Sequence, residues 1–358
     1  MRFGVFILGD KPGHLTHQQV LANVVEEAKW AEELGFDEVW LAEHHFSPYG
    51  TLANLPLVAS AIAAVTERIR IGTACMVAPF HDPIHLAEQI ALVDNLSDGR
   101  FDAGFGRGYQ AHEFRGFGIS MDDATARYQE CLTMVEGLLT QDSFSLDGQF
   151  WQLEDVSLQP RPLQDPVPMW CTVMKTPSSF EWMADKGYGA IIGNPYQVDP
   201  DLAGALDIYL DTRRNRGLSE AREHVWALVN AFLDDDDNFA RTYPRESVEL
   251  SLETHRAFSN PFERGGDVPA DYKAYADWFE KHDLQTYEQI LDSPLTLMGS
   301  PERILPKMRK IIDMGWKNIM LRMSRGGAMD RKKVYNSMAL FSREVMPAVT
   351  ELEAAIVA

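Results

Sequence analysis

Cysteine is scarce in this chain: 358 residues hold three, Cys75, Cys131 and Cys171, far apart and in no Cys-x-x-Cys pair. That scarcity excludes a disulfide framework and a zinc knuckle, and it fits a reducing compartment. Basic residues are few as well. Lys and Arg number 33 against 53 Asp and Glu, giving a formal net charge of −20. So acidic a chain repels phosphate, which excludes non-specific binding to nucleic acid or to an anionic membrane. Long hydrophobic runs are missing too. The longest nearly apolar stretch, residues 52–65, is interrupted by Asn54, Pro56 and Ser60, so no transmembrane span is expected. Residues 1–8 read as a strand, not a signal peptide, because Asp10 and Lys11 follow so soon. A cytoplasmic location is the expectation. No His-Glu-x-x-His pattern occurs and Pro83 separates His81 from His85, so no metal site is expected.

What is present is a repeating alternation. Strand-like segments at 2–8, 38–42, 69–76 and 101–105 begin roughly every 32 residues, the length of one βα unit. Helical patterns fill the gaps. Gly35 stands where a left-handed helix end needs glycine, and Asp82-Pro83 reads as an N-cap followed by a first-turn proline. Four further segments, 168–173, 190–192, 225–233 and 318–322, bring the count to eight. Eight units predict an α/β protein built as a (β/α)8 TIM barrel, with a doubly wound sheet as the alternative. One domain spanning 1–358 is expected. Two ornaments stand out: a β-hairpin over 143–158 around Asp147-Gly148, and a long insertion between strands seven and eight, about 234–294. The insertion is read either as a lid over the site or as helices packed outside it.

The chemistry collects where strands end, as it does in barrels of this kind. Glu43-His44-His45 follows the second segment. If alternation continues to the strand's end, Trp40, Ala42 and His44 share one side while Glu43 and His45 take the other. One histidine then faces the barrel mouth, and its competing role is that of a hydrogen-bonded structural residue. After the fourth segment comes Gly104-Phe105-Gly106-Arg107-Gly108. It is not a dinucleotide fingerprint: the spacing is wrong, this is not the first strand, and residues 109–120 read as loop, not helix. Arg107 suits a phosphate, since its planar fork binds two oxygens, but a salt bridge to a carboxylate competes. Lys175-Thr176-Pro177-Ser178-Ser179 opens a helix after the fifth segment. It offers backbone and hydroxyl donors to an anion, or is simply a well-capped start.

Trp40-Leu41-Ala42-Glu43-His44-His45-Phe46, Ser97-Asp98-Gly99-Arg100-Phe101, Gly106-Arg107-Gly108 and Glu181-Trp182 together resemble the bacterial luciferase α-subunit family of flavin-dependent monooxygenases. Met1-Arg2-Phe3-Gly4, Gly35-Phe36-Asp37 and the terminal Phe341-Ser342-Arg343-Glu344-Val345-Met346-Pro347 extend the resemblance along the whole chain. It implies a (β/α)8 barrel and reduced FMN delivered by a separate flavin reductase. The reaction with O2 would give a flavin hydroperoxide that oxygenates a small organic substrate. It also implies a dimer, taken here as a homodimer. Carried over residue by residue, the catalytic histidine maps to His44 and the phosphate ligands to Arg107, Thr176 and Ser179. Tyr109, Met174 and Lys175 fall among the cofactor-binding positions. The non-prolyl cis peptide under the flavin ring maps to Ala74-Cys75. Luciferase α-subunits have glutamate where this chain has Lys175, and a reactive cysteine where it has Gly106, so light emission is not expected. The β-subunits lack both the glycine-loop arginine and the first histidine. A deazaflavin-dependent hydride-transfer enzyme and a non-catalytic flavin-binding partner subunit are the alternative readings.

Overall fold

The computed structural model describes residues 1–173, 177–192, 202–219, 222–258, 268–273, 275–277, 286–294 and 296–357. Eight strands follow in chain order: β1 (Arg2–Ile7), β2 (Glu38–Leu41), β3 (Arg70–Thr73), β4 (Phe101–Gly106), β5 (Met169–Val173), β6 (Gly189–Ile192), β7 (Val225–Leu233) and β8 (Asn318–Arg322). Each is parallel to its neighbour, and β8 pairs back onto β1, so the sheet closes into a barrel. The expected (β/α)8 barrel is what the chain forms. Closure removes both sheet edges and leaves one mouth at the strands' C-terminal ends.

Large side chains fill the interior. Trp40 of β2 packs edge-on against Trp170 of β5 and Trp226 of β7, with centroids 5.7 and 5.4 Å away. Glycine makes room for them. A Cβ at Gly4 or Gly72 would strike the Trp40 indole, and one at Gly189 would strike Trp170. Truncating a tryptophan packed this way costs about 3–5 kcal/mol.

Local signals hold where they were strong. Helix α1 (His17–Glu33) starts from a Thr16–Gln19 capping box and ends before Gly35, whose φ is 79°. Asp82 caps α3 (Pro83–Leu96; α2 is Leu55–Ala63) through the amides of Ile84 and His85. Phe144–Asp147 pairs antiparallel with Gln152–Val156, which is the predicted hairpin.

Three features differ from the sequence reading. The third segment breaks after Thr73 and resumes as Met76–Val77 against β4; the Ala74–Cys75 bond between the two pieces is cis, as the resemblance implied. Residues 109–120 are not all loop: Ala111–Phe117 forms helix α4, closed by Gly118 at φ 68°. An extra parallel strand, Thr296–Gly299, lies beside the upper end of β7. The stretch after β7 carries helices Asp237–Thr242, Arg245–Phe258 and Tyr287–Asp292 and a single turn, Ala270–Tyr272. Of the insertion read as a lid or as outer helices, residues 259–267, 274 and 278–285 lie outside the described residues, among them Asn260 and Gly265-Gly266. Among the described residues no helix is long and apolar enough to cross a membrane.

Candidate active site

Just beyond β2 the two histidines turn to different carboxylates. His44, 8% exposed, donates from Nδ1 to Glu113 Oε1 at 3.1 Å. Glu113 rides on α4 and also accepts the His45 backbone N–H at 2.7 Å, which ties that helix to the strand end. An imidazole whose Nδ1–H is held by a carboxylate presents Nε2 as its basic atom. His45 instead donates from Nε2 to Glu43 at 2.8 Å, and His81 donates to the same carboxylate at 2.9 Å.

Burial would raise the Glu43 carboxyl, but the His81 and His45 imidazoles outweigh it and hold Glu43 below its usual 4.5. Burial likewise opposes charge on His81, and Glu43 wins, holding His81 above 6.5. The depressed Glu43 contributes stability that is lost as pH falls through its folded value. The raised His81 contributes stability that is complete below 6.5 and lost as pH rises through its folded value. His81→Asn should therefore destabilise by about 2 kcal/mol at mildly acidic pH, with the gap closing in alkali. Thermal melts of both proteins from about pH 5.5 to 9 check this; a gap independent of pH contradicts it.

Aromatic rings surround His44. Its ring centroid lies 4.8 Å from Tyr49 and 5.9 Å from Tyr109, and Tyr49 in turn lies 5.3 Å from His255. Burial, followed by Arg325, His44 and Arg322, pushes His255 well below 6.5, so it stays neutral. Arg322, at the end of β8, pairs with Asp10 after β1 at 2.7 Å. Four strand ends and the Arg245–Phe258 helix thus converge on one mouth.

Arg107 follows β4. Its Nη1 donates to Thr125 Oγ1 at 2.9 Å, its Nη2 donates to the Asp271 carbonyl at 3.2 Å, and its guanidinium lies 4.3 Å over the Tyr272 ring. The Asp271 carboxylate completes the group at 3.7 Å. The competing salt bridge read from the sequence is therefore made in this structure, by a residue of the insertion.

Gly106 has a local cause. A Cβ there would overlap the Cys75 sulfur and crowd the Thr172 hydroxyl. The Cys75 sulfur thus fills the space a side chain at position 106 would need. Burial pushes the Cys75 thiol up to about 12, so at neutral pH it is a packed thiol, not a nucleophile. Ala74 and Cys75 are both half-buried.

Ser179 sits half-buried in the first turns of α6 (Pro177–Lys186; α5 is Ala124–Thr140). Met174, Lys175 and Thr176 lie outside the described residues. The structure brings His44 and Tyr109 together, places Cys75 against Gly106, and sets Arg107 in the same loop as Tyr109. Sequence reasoning missed Glu113, Thr125 and Asp271. Gly118 after the apolar pair Phe114 and Phe117 was an available helix-end signal for Glu113. The other two are distant in sequence from Arg107 and carry no local mark.

The protein is thus an α/β barrel that carries a carboxylate-held histidine at its mouth and, on the loop after β4, an arginine paired with Asp271. The chain belongs to the luciferase-like monooxygenase family, whose sequence model matches residues 1–318. It is 26% identical over 359 residues to the alkanal monooxygenase alpha chain of Photorhabdus laumondii subsp. laumondii, covering 98% of each chain. It is 25% identical over 356 residues to the oxygenase component of flavin-dependent trigonelline monooxygenase from Acinetobacter baylyi, covering 98% of this chain and 96% of that one. Among solved structures, monooxygenase RslO1 from Streptomyces bottropensis superposes with a TM-score of 0.83 at 27% identity, covering 97% and 99% of the two chains. Two others share the fold. The oxygenating constituent of 3,6-diketocamphane monooxygenase from Pseudomonas putida, in complex with FMN, has a TM-score of 0.78 at 18% identity, covering 97% and 98%. An F420-dependent secondary alcohol dehydrogenase has 0.70 at 18%, also covering 97% and 98%.

Proposed function

We propose that this protein is the oxygenase component of a two-component system: it takes reduced FMN from a separate flavin reductase and oxygenates a small organic substrate with O2. One oxygen atom enters the product and the other leaves as water, with reduced FMN supplying the two electrons. The observation that carries this reading is the His44–Glu113 pair beside Tyr109, in the same mouth as Arg107. The flavin-dependent relative named an oxygenase component supports it.

The residues present fit a flavin phosphate. Arg107 and the Thr125 hydroxyl form a donor set already turned to a carboxylate, so the place suits an anion. Ser179, with Thr176 as in the resemblance, would add donors, as would Lys175 where luciferase α-subunits have glutamate, and Ala74–Cys75, Tyr109 and Met174 would flank the ring. His44 would hold or accept a proton at Nε2, fixed in that role by Glu113. The buried rings of Tyr49 and Tyr275 and the half-buried ring of Tyr109 would exclude water around it. Two such chains would form the working homodimer.

Oxygen uptake in the presence of a flavin reductase tests the proposal. Uptake should depend on FMN, and with the protein and the right organic substrate present much less of the oxygen consumed should be recovered as hydrogen peroxide. Turnover with reduced F420 and no O2 would instead place the chain with hydride-transfer enzymes; peroxide recovery unaffected by the protein would leave it a partner subunit without activity.

A further inference from the structure

We infer that Asp271 is a built-in competitor for the flavin phosphate at Arg107, so that cofactor binding exchanges one anion for another; this rests on the proposed phosphate role of Arg107. The turn Ala270–Tyr272 presents its two ends very differently. Tyr272 is 1% exposed, packs against Phe114 and Ala124, and donates from its hydroxyl to the Gly108 carbonyl at 3.0 Å. It is a fixed platform with the Arg107 guanidinium lying on its face. The Asp271 side chain next to it is 54% exposed. Its Oδ2 accepts from the Thr125 hydroxyl at 2.5 Å and stands 3.7 Å from Arg107 Nη1. The same residue's carbonyl takes Nη2.

The carboxylate thus holds the Thr125 hydroxyl and faces the Nη1 side of the guanidinium, both of them donors a phosphate monoester would use. A carboxylate and a phosphate dianion cannot share them, since like charges at such range repel. One bond resolves the conflict. Rotation about the Asp271 side chain takes the carboxylate into water, where more than half of it already lies, while Tyr272 keeps the turn and the guanidinium in place. An exposed ion pair of this kind is weak enough to yield to a dianion. In the flavin-free protein Asp271 keeps Arg107 charge-matched, and it lets a dianionic phosphate monoester through while excluding weaker anions. Asp271 thus sets cofactor affinity without touching the flavin ring.

Binding titrations of Asp271→Asn and Asp271→Ala against the parent protein, with FMN, riboflavin and inorganic phosphate as probes and Arg107→Ala alongside, test this. Both Asp271 variants should bind FMN about five- to tenfold more tightly. Inorganic phosphate should compete with FMN at correspondingly lower concentration, and riboflavin affinity should stay within about twofold of the parent. Unchanged or weaker FMN binding in both variants, with Arg107→Ala still selectively losing FMN, would overturn the competitor role and leave the phosphate reading standing. Equal loss of FMN and riboflavin in Arg107→Ala would overturn the phosphate reading, and this inference with it. A lower melting temperature in Asp271→Asn with no gain in FMN affinity would mark the contact as purely structural.

Discussion

His44→Ala is expected to retain flavin binding within about twofold and to lose product formation by about 10²-fold or more. The side chain lies at the end of β2, its Nδ1 committed to the buried Glu113 carboxylate. It can therefore offer a proton or a basic nitrogen at one fixed atom, and alanine offers neither. Because Tyr109 and Arg107 come from the β4 loop, the cofactor's binding groups should survive the change. Oxygen would still be consumed, and it would be recovered as hydrogen peroxide. Hydrogen peroxide measured per O2 consumed, for any substrate the parent turns over, checks this. A mutant that couples O2 to product as well as the parent would make His44 a structural histidine.

Arg107→Ala should weaken FMN binding about 100-fold while leaving riboflavin nearly unchanged. A charge-assisted contact to phosphate contributes about 1.5–3 kcal/mol, and riboflavin has no phosphate to lose. Fluorescence titration of both ligands measures the difference directly. Equal losses would return Arg107 to the Asp271 contact seen here as its whole function. Part of the guanidinium's present energy comes from Tyr272 and Thr125, so a small drop in melting temperature is expected with it.

The barrel was legible because its signals are local. Alternating apolar segments at regular spacing, Gly35, and Asp82-Pro83 each act within a few residues, and each is found in place. Thr296–Gly299 was missed because four buried residues give no period that separates strand from helix. Ala111–Phe117 was missed because a seven-residue helix rich in aromatic and glycine neighbours looks like loop until its Gly118 end is weighed. The partners that define the site were beyond local reading. Glu113 meets His44 across 69 positions and Asp271 meets Arg107 across 164. Only the closed fold brings such groups together, and the chain's 53 carboxylates gave no means of choosing among them.

As proposed, this mouth takes reduced FMN and manages its reaction with O2. Stopped-flow mixing of the anaerobic protein–reduced FMN complex with O2, following flavin absorbance and peroxide release together, tests it most directly. The account predicts that reduced FMN binds, reacts, and releases hydrogen peroxide at least about tenfold more slowly than free reduced FMN does, because buried rings exclude water and His44 holds the proton. Reduced FMN that fails to bind, or that releases peroxide as fast as it does free in solution, would contradict it.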